Sequence, residues 1–199
     1  MATDYLSVIR GIQAAGPYNL LGWSFGGLVA HAMATQLQSM GERVSMLALL
    51  DSYPFDEKAR ACSSRDPDRE AAIAIGAFDP LQAILERVHG DEQIHSPLEE
   101  GDCEAVAEVY RNNIHIMGNY IPRRFTGDIL LFVAGEGGAK PSFRSWTPYT
   151  NGRIQVYQVD CDHDSMMDAL PARGIGEVLA RELDKQRRIG QPEHPWRTK

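Results

Sequence analysis

The stretch YNLLGWSFGGLVAHAM, residues 18–33, joins a short apolar run, a Gly-Trp-Ser-Phe-Gly turn and a helical pattern without interruption. The apolar run predicts a buried strand, and the residues after Ser24 predict a helix that ends near Gly41. A serine on a tight turn between strand and helix lies in a strained conformation, and small flanking residues avoid clashes there. The pattern therefore predicts that Ser24 is a nucleophile.

The helix after this turn directs its positive end toward the serine. Such a field favours negative charge that develops on the oxygen of a substrate carbonyl. The backbone N–H of Phe25, the residue after the nucleophile, is therefore the predicted oxyanion donor.

Short strands alternate with helices over the first fifty residues. A helical pattern over 4–14 and the strand at 18–22 are followed by the helix after Ser24 and by RVSMLALLD, residues 43–51. The last of these is a continuous apolar run, which is typical of parallel strands that are buried on both faces. Two further strands at 128–135 and 153–160 and a helix at 174–188 continue the pattern. The fold class predicted is α/β, a mostly parallel sheet flanked by helices.

The alternation stops between residues 54 and 122, where only helical patterns occur, at 69–78, 79–90 and 102–120. We expect one domain over residues 1–190, in which 1–53 and 123–190 form the core. Residues 54–122 are then a helical lid inserted over the site. Residues 191–199 are predicted to be an irregular tail.

A serine nucleophile needs a histidine base. His163 follows the predicted strand 153–160 directly, and ligands bind at the carboxyl ends of parallel strands, so His163 is the predicted base. The other five histidines lie in the helix after the nucleophile, in the lid or in the tail: His31, His89, His95, His115 and His194. Asp162 and Asp164 raise the alternative of a metal site, but adjacent residues do not easily turn to one ion, and no metal is expected.

Two acids compete to orient this base. Asp51 ends the strand after that of the serine, and Glu136 follows the strand 128–135. Both would lie at the carboxyl edge of the sheet. The residues favour Asp51, which abuts the strand of Ser24, and leave Glu136 as the alternative. The order serine, acid, histidine fits an α/β-hydrolase with either acid.

Composition excludes several other functions. The chain has 199 residues, 43% hydrophobic and 24% charged, and 20 basic against 27 acidic residues give a net charge of −7. This acidity argues against general nucleic-acid binding, and no apolar run is long enough for a membrane span. Three scattered cysteines and a charged start without a signal peptide predict a reduced, cytoplasmic setting.

The residues 16–54, from Gly-Pro-Tyr through Gly-Trp-Ser-Phe-Gly-Gly to Leu-Leu-Asp, closely resemble the terminal thioesterase domains of nonribosomal peptide synthetases. The resemblance covers about residues 4–185, including the helical lid and the His163-Asp164-Ser165-Met166 pattern. In that family the acid ends the strand after the nucleophile, which implies Asp51. In editing thioesterases of the same fold, the acid that orients the histidine tends to follow a later strand.

The resemblance implies a thioesterase with a Ser24-Asp51-His163 triad. Its substrate would be a peptidyl or acyl thioester on the phosphopantetheine of an upstream carrier domain, released by hydrolysis or macrocyclisation. The domain itself would bind no cofactor. Arg123-Arg124 is a candidate docking patch for an acidic carrier domain, although a solvated loop pair is the simpler interpretation. The alternatives are a stand-alone editing thioesterase, another serine esterase, or a weakly active carrier-binding remnant.

The chain departs from the family at two places. Relatives have several strands before the helix of Tyr5, and a His-Pro-x-Gly-Gly type loop there gives a second oxyanion donor. The resemblance implies that this chain is N-terminally truncated and that its serine strand has an open edge, so we expect self-association or poor solubility. The histidine loop has Cys-Asp-His, where relatives often have glycine before the histidine.

Overall fold

The computed structural model describes residues 1–54, 100–135 and 143–189. The helices predicted at 69–78 and 79–90, and the tail, lie outside these residues. The chain divides into two compact units, one comprising Met1–Tyr53 with Pro122–Lys199 and the other Pro54–Ile121. The described part of the second unit is mainly one helix. The lid role predicted for 54–122 stays a prediction.

Strands and helices alternate in the first unit, as the sequence predicts. Its elements in chain order are α1 (Ala2–Ile12), β1 (Tyr18–Trp23), α2 (Phe25–Ser39), β2 (Val44–Leu50), β3 (Ile129–Ala134), a 3₁₀ helix (Phe143–Tyr149), β4 (Ile154–Val159), a second 3₁₀ helix (Asp164–Met167) and α4 (Ala169–Ile189). Helix α3 (Glu100–Asn119) belongs to the second unit and matches the helix predicted at 102–120. None of the described helices is long and apolar enough to span a membrane.

The four strands form one parallel sheet in the order β1-β2-β3-β4. The register pairs Trp23 with Leu50, and Leu50 with Phe132, so β1 and β2 end side by side while β3 continues to Ala134. Leu47 and Leu49 on one face of β2 have no exposed surface, and Ala48 and Leu50 on the other face are at most 1% exposed. The apolar runs are thus covered on both faces, as parallel strands between helices require, and the predicted fold class is confirmed.

Helix α2 is buried over a wider face than its apolar pattern predicts. Leu28 and Leu37 lie in the core, and His31 is also fully buried, whereas the apolar Met40 is 51% exposed. His31 is covered by the first 3₁₀ helix, since its ring contacts Trp146, and Met40 follows the last residue of α2. Helix α4 begins at Ala169, earlier than the predicted start at 174.

Strand β1 is an edge of the described sheet, with β2 as its one strand neighbour there. Leu21 is 46% exposed on β1, and Tyr5 is 52% exposed on α1. These residues line a mostly apolar groove of about 550 Å³ between α1, β1 and α2. Self-association through this edge stays a prediction.

Candidate active site

The turn between β1 and α2 holds Ser24 in an unusual backbone conformation, with φ 53° and ψ −123°. A side chain at Gly22 would collide with the backbone of Gly26 and Gly27, and one at Gly27 would collide with the side chain of Ser52. A Cβ at Gly26 would meet none of the described atoms within 4 Å. The turn therefore requires a small residue at Gly22, as predicted. It does not require one at Gly26, where the prediction was wrong, because α2 turns Gly27 and not Gly26 toward β2.

The parallel register brings Ser24 and Asp51 to the same edge of the sheet. The backbone N–H of Ser24 donates to the carbonyl oxygen of Leu50 at 2.9 Å, and that of Asp51 donates to Phe132 at 2.7 Å. Both residues follow the last residue of their strands. Asp51 has φ 42°, a left-handed conformation that aspartate tolerates better than most residues. Its carboxylate is therefore fixed by backbone geometry as well as by contacts.

His163 lies between these two side chains. Its Nδ1 is 2.7 Å from Asp51 Oδ2, and its Nε2 is 3.0 Å from Ser24 Oγ. Since a carboxylate only accepts hydrogen bonds, Nδ1–H donates to Asp51, which leaves Nε2 to accept from the serine hydroxyl. The structure thus brings together the three residues predicted to act as nucleophile, acid and base.

Asp51 is almost completely buried and carries three hydrogen bonds. Burial raises the pKa of its carboxyl, but hydrogen bonds from His163, from the Ala134 N–H and from the Tyr53 hydroxyl outweigh burial. The net pKa lies below the ordinary value, so the group stays ionised at neutral pH. An ionised acceptor is what the Nδ1–H tautomer of His163 needs.

Tyr53 donates its hydroxyl to Asp51 Oδ1 at 3.1 Å, a contact that sequence reasoning missed. Burial and the neighbouring carboxylate raise the pKa of this hydroxyl, which therefore remains a donor.

We predict that Tyr53→Phe lowers kcat for a thioester about 10-fold with little change in KM, since one hydrogen bond to a charged group is lost. Steady-state kinetics measure this. Tyr157→Phe is the matched control, because the Tyr157 hydroxyl contacts Glu182; equal kcat in wild type and Tyr53→Phe would contradict the prediction.

Phe25 begins α2, so its backbone N–H has no carbonyl partner within the helix. It directly follows Ser24 at the positive end of that helix. This position suits the predicted role of oxyanion donor, which stays a prediction.

His31, on the second turn of α2, lies away from this site. It is fully buried, its Nε2 is 3.3 Å from the carbonyl oxygen of Tyr149, and its ring contacts Trp146 with centroids 4.7 Å apart. Burial lowers its pKa to about 4, although the Tyr149 carbonyl opposes this shift. His31 is therefore a neutral core residue. Glu136, the alternative acid, lies outside the described residues.

The pKa of His31 predicts an acid-sensitive fold. Between about pH 6.5 and 4 the unfolded chain binds a proton at this site that the folded chain does not, so stability falls as pH falls. In this window the unfolding free energy falls by an amount that approaches roughly 1.4 kcal/mol for each pH unit. We predict that His31→Gln flattens the dependence of unfolding free energy on pH in urea denaturation at pH 7, 6 and 5. Parallel curves for the two proteins would contradict this, since other groups contribute equally to both.

Among the described residues, no group of three or more His, Cys, Asp or Glu side chains is placed to hold a metal ion. Asp162, one of the two acids that raised this alternative, accepts a hydrogen bond from the backbone N–H of Ser165 at 2.8 Å. It thereby stabilises the turn that follows His163.

A parallel sheet flanked by helices, with Ser24 on the turn between a strand and a helix, defines the class as an α/β-hydrolase type domain. Residues 1–192 match the family model for the thioesterase domain. The chain therefore belongs to the thioesterase-domain family, as the sequence resemblance implied.

Proteins similar to this chain include a nonribosomal peptide synthase. The chain is 38% identical over 93% of its length to a dimodular nonribosomal peptide synthase of Bacillus subtilis and 36% identical over 92% to malpinin synthetase of Mortierella alpina. It spans 8% and 2% of the lengths of these two proteins. A solved structure of the NocB thioesterase domain, in covalent complex with a fluorophosphonate nocardicin G analogue, is similar with a TM-score of 0.64 and 26% identity. That likeness covers 92% of this chain and 73% of the NocB domain.

Proposed function

We propose that this chain is a terminal thioesterase domain that releases a peptidyl or acyl chain from a carrier domain by way of a Ser24 acyl-enzyme. The observation that carries the proposal is the hydrogen-bonded series Ser24–His163–Asp51 at the carboxyl edge of the sheet. Membership of the thioesterase-domain family supports the substrate class, a thioester.

In the first step the Oγ of Ser24 attacks the thioester carbonyl, and His163 Nε2 takes the hydroxyl proton. The negative charge that forms on the carbonyl oxygen faces the Phe25 N–H and the positive end of α2. Asp51 stabilises the imidazolium without taking its proton. When the C–S bond breaks, His163 returns the proton to the departing phosphopantetheine thiolate, and the acyl group remains on Ser24.

In the second step His163 activates the nucleophile that removes the acyl group. Water gives a free acid, whereas an amine or hydroxyl of the acyl chain itself gives a macrocycle. The proton passes through His163 back to the Oγ of Ser24, so the domain ends the cycle unchanged. The predicted lid, residues 54–122, would decide how far water competes with the internal nucleophile.

The proposed partner is an upstream peptidyl carrier domain, whose phosphopantetheine presents the substrate; the thioesterase domain binds no cofactor of its own. The synthetase relatives support this arrangement, because the thioesterase-like part is a small share of a long chain in each. Arg123 and Arg124 are both exposed and remain a candidate docking pair. The proposed location is the cytoplasm, in keeping with the three scattered cysteines of the sequence.

A panel of matched acyl donors tests the substrate class. Peptidyl, fatty acyl and short acyl groups are supplied as phosphopantetheine thioesters and as simple oxygen esters, and release is followed by mass spectrometry. The proposal predicts that kcat/KM for a peptidyl thioester exceeds that for its oxygen ester by at least about 10-fold, a difference of roughly 1.4 kcal/mol in transition-state stabilisation. Equal or faster turnover of the oxygen esters would favour a general serine esterase, and preference for short acyl thioesters would favour an editing thioesterase.

A further inference from the structure

Trp23, the residue before the nucleophile, contacts the loop of His163 in two ways. Its indole Nε1–H donates to the backbone carbonyl oxygen of His163 at 3.2 Å, although the two residues are 140 positions apart. Its ring also stacks on the imidazole, with ring centroids 5.3 Å apart and planes inclined by 30°. One side chain thus holds both the backbone and the ring of the residue that we propose as the base.

Trp23 is itself well supported. Its half-buried ring packs against a core cluster between the sheet and α4, which consists of Met46, Ala48, Leu50, Leu130, Phe132, Ala134, Cys161, Met166 and Ile175. Two members of this cluster, Cys161 and Met166, lie on either side of His163 in the sequence and are buried. The core therefore fixes both ends of the loop that contains His163. It also fixes the side chain of Trp23, which contacts the middle of that loop.

The ring of His163 needs this support because its other contacts leave it freedom to tilt. The side chain is 39% exposed; Asp51 holds Nδ1, and Nε2 contacts the hydroxyl of Ser24, which can itself rotate. With Nδ1 as its one fixed anchor, the ring can rotate about that hydrogen bond and move Nε2 out of line with Ser24 Oγ. The indole face restricts this rotation, because the two rings are stacked.

We propose that Trp23 is a positioning residue that keeps Nε2 of His163 in line with the Oγ of Ser24. This inference rests on the proposed function, since it assigns Trp23 a role in the same site. The turn between β1 and α2 then positions both the nucleophile and the base, because Trp23, which contacts His163, directly precedes Ser24 in the chain. Such positioning acts on the rate of attack, with little effect on how tightly a substrate binds.

The test is the rate at which an alkyl fluorophosphonate modifies Ser24. Its Oγ forms the P–O bond, fluoride leaves, and His163 takes the proton. We expect Trp23→Leu to lower the maximal modification rate about 30- to 100-fold without changing the concentration for half-maximal rate, as for a misplaced catalytic group. Trp23→Phe keeps an aromatic ring but lacks the N–H donor, and we expect it to recover part of the lost rate, to about 3- to 10-fold below the wild type.

Tyr157→Leu is the matched control. Tyr157 packs against the same core cluster, but its ring stacks on Phe132 with centroids 5.2 Å apart instead of on His163. We expect this variant to lose stability and to retain the wild-type modification rate. Thermal unfolding of every variant confirms that the protein measured is folded.

Three results would overturn the proposal: a folded Trp23→Leu variant with the wild-type rate, equal losses in Trp23→Leu and Tyr157→Leu, or no recovery in Trp23→Phe. Should Trp23→Leu fail to fold, the decision falls to Trp23→Phe, for which a rate reduced about 3- to 10-fold by the lost hydrogen bond supports the proposal and an unchanged rate overturns it. Wild-type protein that is folded but not modified at all would instead overturn the proposed function, and this inference with it.

Discussion

Replacing Ser24 with alanine is expected to lower kcat for a peptidyl thioester by about 10⁴- to 10⁶-fold. The hydroxyl is 3.0 Å from His163 Nε2, and its removal leaves the imidazole without a nucleophile to activate. Alanine has no group that can form an acyl-enzyme, so only the positioning and electrostatic effects of the site remain. Release of the free thiol from the substrate, followed with a thiol-reactive dye, measures this loss.

Ser39→Ala is the control for this substitution. Ser39 ends the same helix that begins after Ser24, and its hydroxyl donates to the carbonyl oxygen of Gln36. The same chemical change there is expected to leave turnover unaffected. A Ser24→Ala protein that retained more than a tenth of the wild-type rate would contradict the proposed role of Ser24.

Asp51→Asn is expected to cost about 10⁴-fold in kcat at neutral pH. The amide can donate to Nδ1 of His163 in place of accepting from it. This favours the tautomer with the proton on Nε2, which then cannot take the proton of Ser24. Asparagine tolerates a positive φ, and Asp51 has φ 42°, so we expect the variant to keep its fold. Kinetics with a phosphopantetheine thioester, beside circular dichroism of both proteins, test this.

Glu136→Gln is the matched comparison, since the sequence offers Glu136 as the alternative acid. It makes the same change from carboxylate to amide in a residue that follows a different strand. We predict a loss of less than about 3-fold for Glu136→Gln, the scale of a substitution that removes no specific interaction of the site. A large loss in Glu136→Gln with a small one in Asp51→Asn would reverse the assignment.

The fold could be predicted from the sequence because its signals are local. Continuous apolar runs such as 43–51 identify buried strands, and parallel strands place the residues that follow them along one edge. Those two rules bring Ser24, Asp51 and His163 to one edge, but they bring Glu136 there as well, and it was the family resemblance that implied Asp51. The structure places His163 Nδ1 2.7 Å from Asp51 and His163 Nε2 3.0 Å from Ser24.

Contacts between distant residues could not be predicted in the same way. The 3₁₀ helix Phe143–Tyr149 has no periodic signal, yet its Trp146 is fully buried and donates to the carbonyl oxygen of Ser52 at 2.7 Å. The contacts of Tyr53 with Asp51 and of Trp23 with His163 likewise depend on how segments meet in space. A side chain at such a position looks like any other apolar or aromatic residue in the sequence.

The most direct test of a working Ser24-His163-Asp51 site is the intact mass of the purified chain after reaction with an alkyl fluorophosphonate, beside the Ser24→Ala variant. We predict one phosphonyl adduct on the wild-type chain, mapped to the peptide that contains Ser24, and none on the variant. A folded wild-type chain without an adduct, or an adduct that persists in Ser24→Ala, would contradict the claim that Ser24, His163 and Asp51 form a working catalytic site.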